Sequence, residues 1–170
     1  MDLDSMDREG LRTYVDFLIR ELRLVDAFWY IFLEEEYDSK RADHFNERVW
    51  HRIASISAKD IMQRFGIAEK GLVGFVKALK YFPWTIIVGY EIEQKPDEVI
   101  ITVPECPTQT ARLVRKLGEY ECKEMHRGEF INFAKAIDPG IVVDCIHAPP
   151  DPHPPERMCK WRFTMAGEGA

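Results

Sequence analysis

Four cysteines, Cys106, Cys122, Cys145 and Cys159, fall in the last 65 residues of the sequence, and the first 105 residues hold none. A thiolate is both a nucleophile and a soft metal ligand, while a protonated thiol behaves as a small apolar group. Their crowding into one stretch therefore admits three readings: metal ligands, a reactive thiol, or buried inert thiols. Period-two alternation puts Val143, Cys145 and His147 on one face of a strand, and Cys159, Trp161 and Phe163 on one face of the next. If those faces coincide, two thiols and an imidazole converge across a hairpin. Zinc or another transition metal takes such ligands, so all four cysteines are candidate ligands. The C-x-x-C spacing that makes a zinc assignment specific is missing.

Two imidazoles are candidates for acid–base work near neutral pH, His126 and His147. His126 is expected just ahead of a helix. Asp144 lies on the opposite face of its strand from His147, so an ion pair with Lys160 or Arg162 across the sheet is expected in place of an Asp–His dyad. Gln109 and Arg112 sit near the start of a short helix, where free N–H groups and a guanidinium can seat a carboxylate. They are the candidate substrate-binding pair, beside the alternative of a surface arginine. His44, Glu47 and His51 share one helix face, but solvated polar residues at that spacing are common and the H-E-x-x-H pattern is missing.

The elements that must position these groups begin with helices. Residues 6–36 form one long helix or two joined ones, with Leu11, Tyr14, Leu18, Leu22, Val25, Trp29 and Phe32 as an apolar stripe. Asp4 or Ser5 is the expected cap. Glu34–Glu36 oppose the helix dipole at the far end. A second helix starts near Ser39 and stops at Gly66, and a third covers Ala68–Phe82 up to Pro83.

The pattern then changes. Trp84–Glu93 alternates as a strand, and Val99, Ile101 and Val103 continue a second strand after the turn Gln94–Asp97. Short helices are expected at Thr108–Leu117, capped by Thr108, and at Arg127–Ile137, with Cys122 on an extended piece before the latter. Ile141–His147 and Met158–Met165 are the last strands. The proline-rich loop between them, Ala148–Pro155, is stiff enough to be a lid or a pocket wall. The tail after Ala166 is expected to fray. The fold class is α+β: N-terminal helices packed on a mostly antiparallel C-terminal sheet with two short helices. A helical half, 1–83, and a cysteine-carrying half, 84–170, form one compact unit.

Among 170 residues, 46% are hydrophobic and 31% charged, an ordinary globular balance, with a net charge of −6 and no basic run. Nucleic acid is thus a poor partner. No apolar stretch is long enough for a membrane span, and the acidic N-terminus has no apolar signal core. The expectation is a cytoplasmic protein whose partners are a small-molecule ligand and other copies of itself. The aromatic residues, Trp29, Trp50, Trp84 and Trp161 among them, supply core or pocket wall.

The strings Cys106-Pro107-Thr108-Gln109, Ala111-Arg112, Gly118, Cys122, Phe133-Ala134, Ile137-Asp138-Pro139, Cys145, Pro149-Pro150-Asp151 and Cys159-Lys160-Trp161-Arg162-Phe163 resemble a prokaryotic family related to L-2-amino-thiazoline-4-carboxylic acid hydrolases. Ala27-Phe28-Trp29, Glu35, Ala42 and Val49-Trp50 extend the resemblance over most of the chain. The closing cysteine-then-aromatic strand is also similar to 4-vinyl-reductase-type ligand-binding domains. The hydrolase kinship implies addition of water to a C=N bond in a small sulfur heterocycle bearing a carboxylate. That reaction needs an activated water, a proton donor and a carboxylate seat. Our assignments are Cys122, Cys145 and Cys159 as the reactive or metal-binding cluster, His126 or His147 as the acid or base, and Arg112 as the carboxylate seat. Three functions stay open: a small-molecule- or metal-binding protein with a Cys/His site, such a hydrolase, and a structural or oligomeric protein with inert thiols.

Overall fold

A computed structural model describes residues 3–167; Met1 and Asp2, and residues 168–170 of the expected frayed tail, lie outside the described residues. The chain groups into two compact units, Met1–Ala42 and Asp43–Ala170.

The first unit is dominated by one helix, α1 (Arg8–Glu36), unbroken over 29 residues. Its cap is Asp7, not Asp4 or Ser5: the Asp7 carboxylate accepts a 2.7 Å bond from the Gly10 N–H. None of its residues is buried. The apolar stripe that the sequence shows is there, but its side chains are not buried.

Helix α2 (Ser39–Arg64) follows after a two-residue break. Asp38 caps it, through a 2.7 Å bond from the Arg41 N–H, and Ser39 is its first residue. Beyond its end, Gly66 takes a positive φ of 61°, a conformation that a side chain resists. Helix α3 (Gly71–Leu79) is shorter than expected, and six of its nine residues are buried.

The stretch after α3 departs from the expected strand. Pro83 opens a helical turn, and Thr85–Gly89 is π-helical, closed by a Tyr90 N–H to Thr85 carbonyl bond of 3.2 Å. Proline is favoured at the first position of a helix, where no N–H is needed. A short apolar run fits either period, and packing decides. Here Trp84 turns back onto Trp50 of α2, ring centroids 5.0 Å apart, and the Thr85 hydroxyl donates to the Leu79 carbonyl at 2.6 Å.

Four antiparallel strands complete the α+β fold: β1 (Glu91–Gln94), β2 (Glu98–Val103), β3 (Ile141–His147) and β4 (Cys159–Met165), in the order β1-β2-β4-β3. Between β2 and β3 run α4 (Pro107–Val114) and α5 (Lys123–Ile137). Helix α4 starts at Pro107, so Thr108 lies inside it and does not cap it. Register places Val99, Ile101 and Val103 beside Phe163, Trp161 and Cys159 on one sheet face, and all six are buried. Onto that face pack Phe75 of α3 and Phe130 of α5, with centroids 4.5 and 5.3 Å from Phe163. Phe133 of α5 joins Phe75 and Phe82 at 6.0 and 5.0 Å. This aromatic cluster is the core of the second unit, and the cavity described next lies at one end of it.

Candidate functional site

Helix α5 begins at Lys123, four residues earlier than the sequence suggests, with Cys122 as the residue before its first turn. That shift changes the geometry. His126 lies inside the helix, not ahead of it, so Cys122, His126 and Glu129 follow at steps of four and three on one helix face. Gly128 in the interior hides the helix from a propensity reading. The structure requires that glycine, because a Cβ there would lie 1.9 Å from Nε2 of His51 on α2.

The face opens on a cavity of about 20 Å³, room for about one water. Cys106, just before α4, and Gln109 of α4 line it, with Cys122, His126 and Phe130 around α5. Val103, Cys159 and Trp161 of the sheet form its floor, and Val88 and Tyr90 close one side. Pro149 and Met158 bring in both ends of the proline-rich loop. That loop is a wall: the Lys123 N–H donates to the Pro149 carbonyl at 3.0 Å, and Lys123 Nζ pairs with Asp151 at 2.8 Å.

Polar contacts order the site. His126 Nδ1 lies 2.8 Å from Glu129 Oε2. Glu129 is only 1% exposed, and its other oxygen has no hydrogen-bond partner. Burial alone would lower the His126 pKa, but hydrogen bonds with Cys122 and Glu129 outweigh it and raise it well above the ordinary 6.5. The raised pKa favours the protonated ring, a proton donor. Gln109 Nε2 donates to the Cys122 sulfur at 3.5 Å. The same amide donates to the Tyr120 carbonyl and accepts from the Tyr120 N–H, both at 2.8 Å. Gln109 thus fastens the segment that carries Cys122, and its amide is spent on protein partners.

Burial pushes the Cys106 thiol up and the Cys159 thiol well up, so both stay protonated. Trp161 Nε1 approaches the Cys159 sulfur without completing a hydrogen bond. It and the Tyr90 hydroxyl are buried polar atoms with no hydrogen-bond partner. A dry unpartnered donor costs about 1–3 kcal/mol, so both suit an occupant with polar atoms.

Cys145, His147 and Arg112 stand apart from the cavity. Cys145 pairs in register with Trp161, and the strand faces coincide as far as that pair. A bulge then shifts the register between Cys145 and His147, so that His147 pairs with Lys160. One residue of slip turns a side chain to the other face. His147 accordingly reaches the Arg157 carbonyl, 3.2 Å away and exposed. Asp144 meets Arg162 at 3.1 Å, the expected cross-strand pair. Arg112 donates to the carbonyls of Gly118 and Leu117, both at 3.4 Å, and lies off the cavity lining. Sequence reasoning missed Glu129 and Tyr90 as site residues and named Trp161 only as core or pocket wall. The His126–Glu129 spacing of three was the available signal for the first.

Three thiols and an imidazole are zinc-type ligands. Among the described residues, no group of three or more His, Cys, Asp or Glu side chains is gathered closely enough to hold a metal ion. Nor, among them, is any helix long and apolar enough to cross a membrane.

The fold is similar to that of a trafficking protein particle complex subunit 3 from Naegleria fowleri, a structure covalently bound to palmitic acid. The TM-score is 0.56 at 10% identity, over 88% of this chain and 96% of that one. No curated protein matches the sequence. Residues 6–165 match the Family of unknown function (DUF6125), and the chain belongs to that family.

Proposed function

We propose that the chain binds a small molecule in the thiol-lined cavity of its second unit, with Cys122 meeting the ligand's electrophilic atom. One observation carries this reading: Cys106, Cys122, Cys159 and His126 converge on a cavity that also holds the unpartnered Trp161 N–H and Tyr90 O–H. The covalent palmitate in the structural neighbour supports a ligand of the electrophilic, acyl-bearing class. At about 20 Å³ the cavity takes the reacting group and not a chain. A longer ligand has to displace the Pro149 and Met158 wall.

The order Cys122–His126–Glu129 favours a second reading, the hydrolysis of a C=N bond in a small carboxylate-bearing heterocycle. Sulfur would add to the ring carbon, the C=N electron pair would move to nitrogen, and the His126 imidazolium would protonate it. Water would then replace the sulfur, which leaves as the thiol, and the resulting carbinolamine would collapse to C=O as the C–N bond breaks and the amine departs. Arg112 lies off the cavity, so this reading needs another seat for the carboxylate.

The test is native thiol modification with methyl methanethiosulfonate, which leaves only a methylthio group on sulfur, in a Cys145→Ser background and mapped by mass. Cys122 should react at least tenfold faster than Cys106 and Cys159, because its sulfur has an amide donor and the His126 ring beside it. Equal rates at the three thiols would end the proposal. So would stoichiometric zinc in the purified protein, which would favour the metal-binding alternative.

A further inference from the structure

The apolar stripe of α1 has a stricter period than a surface helix needs. Leu11, Leu18, Val25 and Phe32 recur every seven residues, and Val15, Leu22 and Trp29 interleave at steps of four and three. That is the 3.5-residue repeat of a coiled-coil seam, not the broader 3.6-residue face that packs on a core. Every one of these side chains is exposed, from 38% at Leu22 to 68% at Trp29. The seam runs about 32 Å, and contiguous apolar surface of that extent marks an interaction site.

Charge beside the seam selects the occupant and its direction. Arg12, Ile19, Asp26 and Leu33 flank it on one side; Tyr14, Glu21, Phe28 and Glu35 flank it on the other. A parallel pair would set Glu21 against Asp26 of the second copy, twice, and bring two Glu34–Glu36 clusters together. An antiparallel pair separates the clusters by the length of the helix. With Leu22 opposite Leu18 of the second copy, Trp29 meets Leu11, Val25 meets Val15, Ile19 meets its own equivalent, and Arg12 faces Asp26 twice. Along the middle of the seam the like-charge contact is Glu21 with itself, and each Glu21 already has Arg20 Nη1 at 3.5 Å; Glu35 meets Asp7 only at the two ends.

We infer that α1 is the interface of an antiparallel homodimer, specified by the heptad seam and by the reciprocal Arg12–Asp26 pairs. The inference concerns the first unit and is independent of the cavity. The full chain should sediment at twice its monomer mass at micromolar concentration. Leu22→Glu should give a monomer with unchanged helical circular dichroism. Arg12→Glu alone and Asp26→Arg alone should each weaken dimerisation about tenfold, and the R12E/D26R double variant should restore it. Three results would each overturn the inference: a chain monomeric at 100 µM, a dimer indifferent to Leu22→Glu, or a double variant no tighter than the single ones. A monomer that binds phospholipid vesicles through α1 would overturn it in favour of a lipid surface.

Discussion

Cys122 is set apart by what surrounds its sulfur. Gln109 supplies an amide donor at 3.5 Å, and His126 supplies a protonated ring held by Glu129 at 2.8 Å. The imidazolium leans on a carboxylate that water barely reaches, so the pair is coupled to folding. Because the His126 pKa is raised in the folded state, its contribution is complete below the ordinary 6.5 and disappears as pH rises through the raised value. Glu129→Gln removes the counter-charge. We expect it to destabilise the protein by about 1–3 kcal/mol at pH 6, and by less at high pH, where the ring is neutral in either protein. Urea denaturation at several pH values checks this; a loss independent of pH would show that His126 is not an imidazolium in the fold. His126 was legible from the sequence as an acid–base candidate. Its partner was not, because a glutamate on a helix looks solvated until its burial is known.

Among the elements, α5 decides whether a site exists. Its first turn aligns Cys122 with His126, and Gly128 lets it lie against His51 of α2. Gly128→Ala should therefore cost about 1–3 kcal/mol by overpacking, and His51→Ala in the same protein should recover most of it. Thermal melts of the two single variants and the double variant measure the coupling; additive losses would mean that the approach is not tight. The sheet was largely legible, since β2, β3 and β4 have the alternation that half-buried strands require. Two features were not. The run from Trp84 to Tyr90 alternates, yet Trp84 packs better on Trp50 from a helical turn. The bulge that turns His147 away leaves no mark in composition, because an extra residue in a strand shows only in the register of its neighbour.

At the scale of the whole molecule, the sequence shows the α1 stripe plainly but not what the stripe meets. Periodicity locates an apolar face without naming the surface that covers it. If two copies share α1, the melting temperature should rise with protein concentration, because association stabilises only the folded form. Scans from 1 to 100 µM check this, and Leu22→Glu should abolish the trend. The second unit holds its own aromatic core. Phe163→Ala, at the meeting of Phe75 and Phe130, should cost about 3–5 kcal/mol by chemical denaturation.

The strand order leaves β1 on the outside of the sheet, only four residues long and carrying Glu91 and Glu93. Lys95, just past its end, pairs with Glu98 at 2.7 Å and closes the hairpin. A short border of fixed negative charge makes a poor template for a foreign strand, so the sheet resists extension into fibrils from that side.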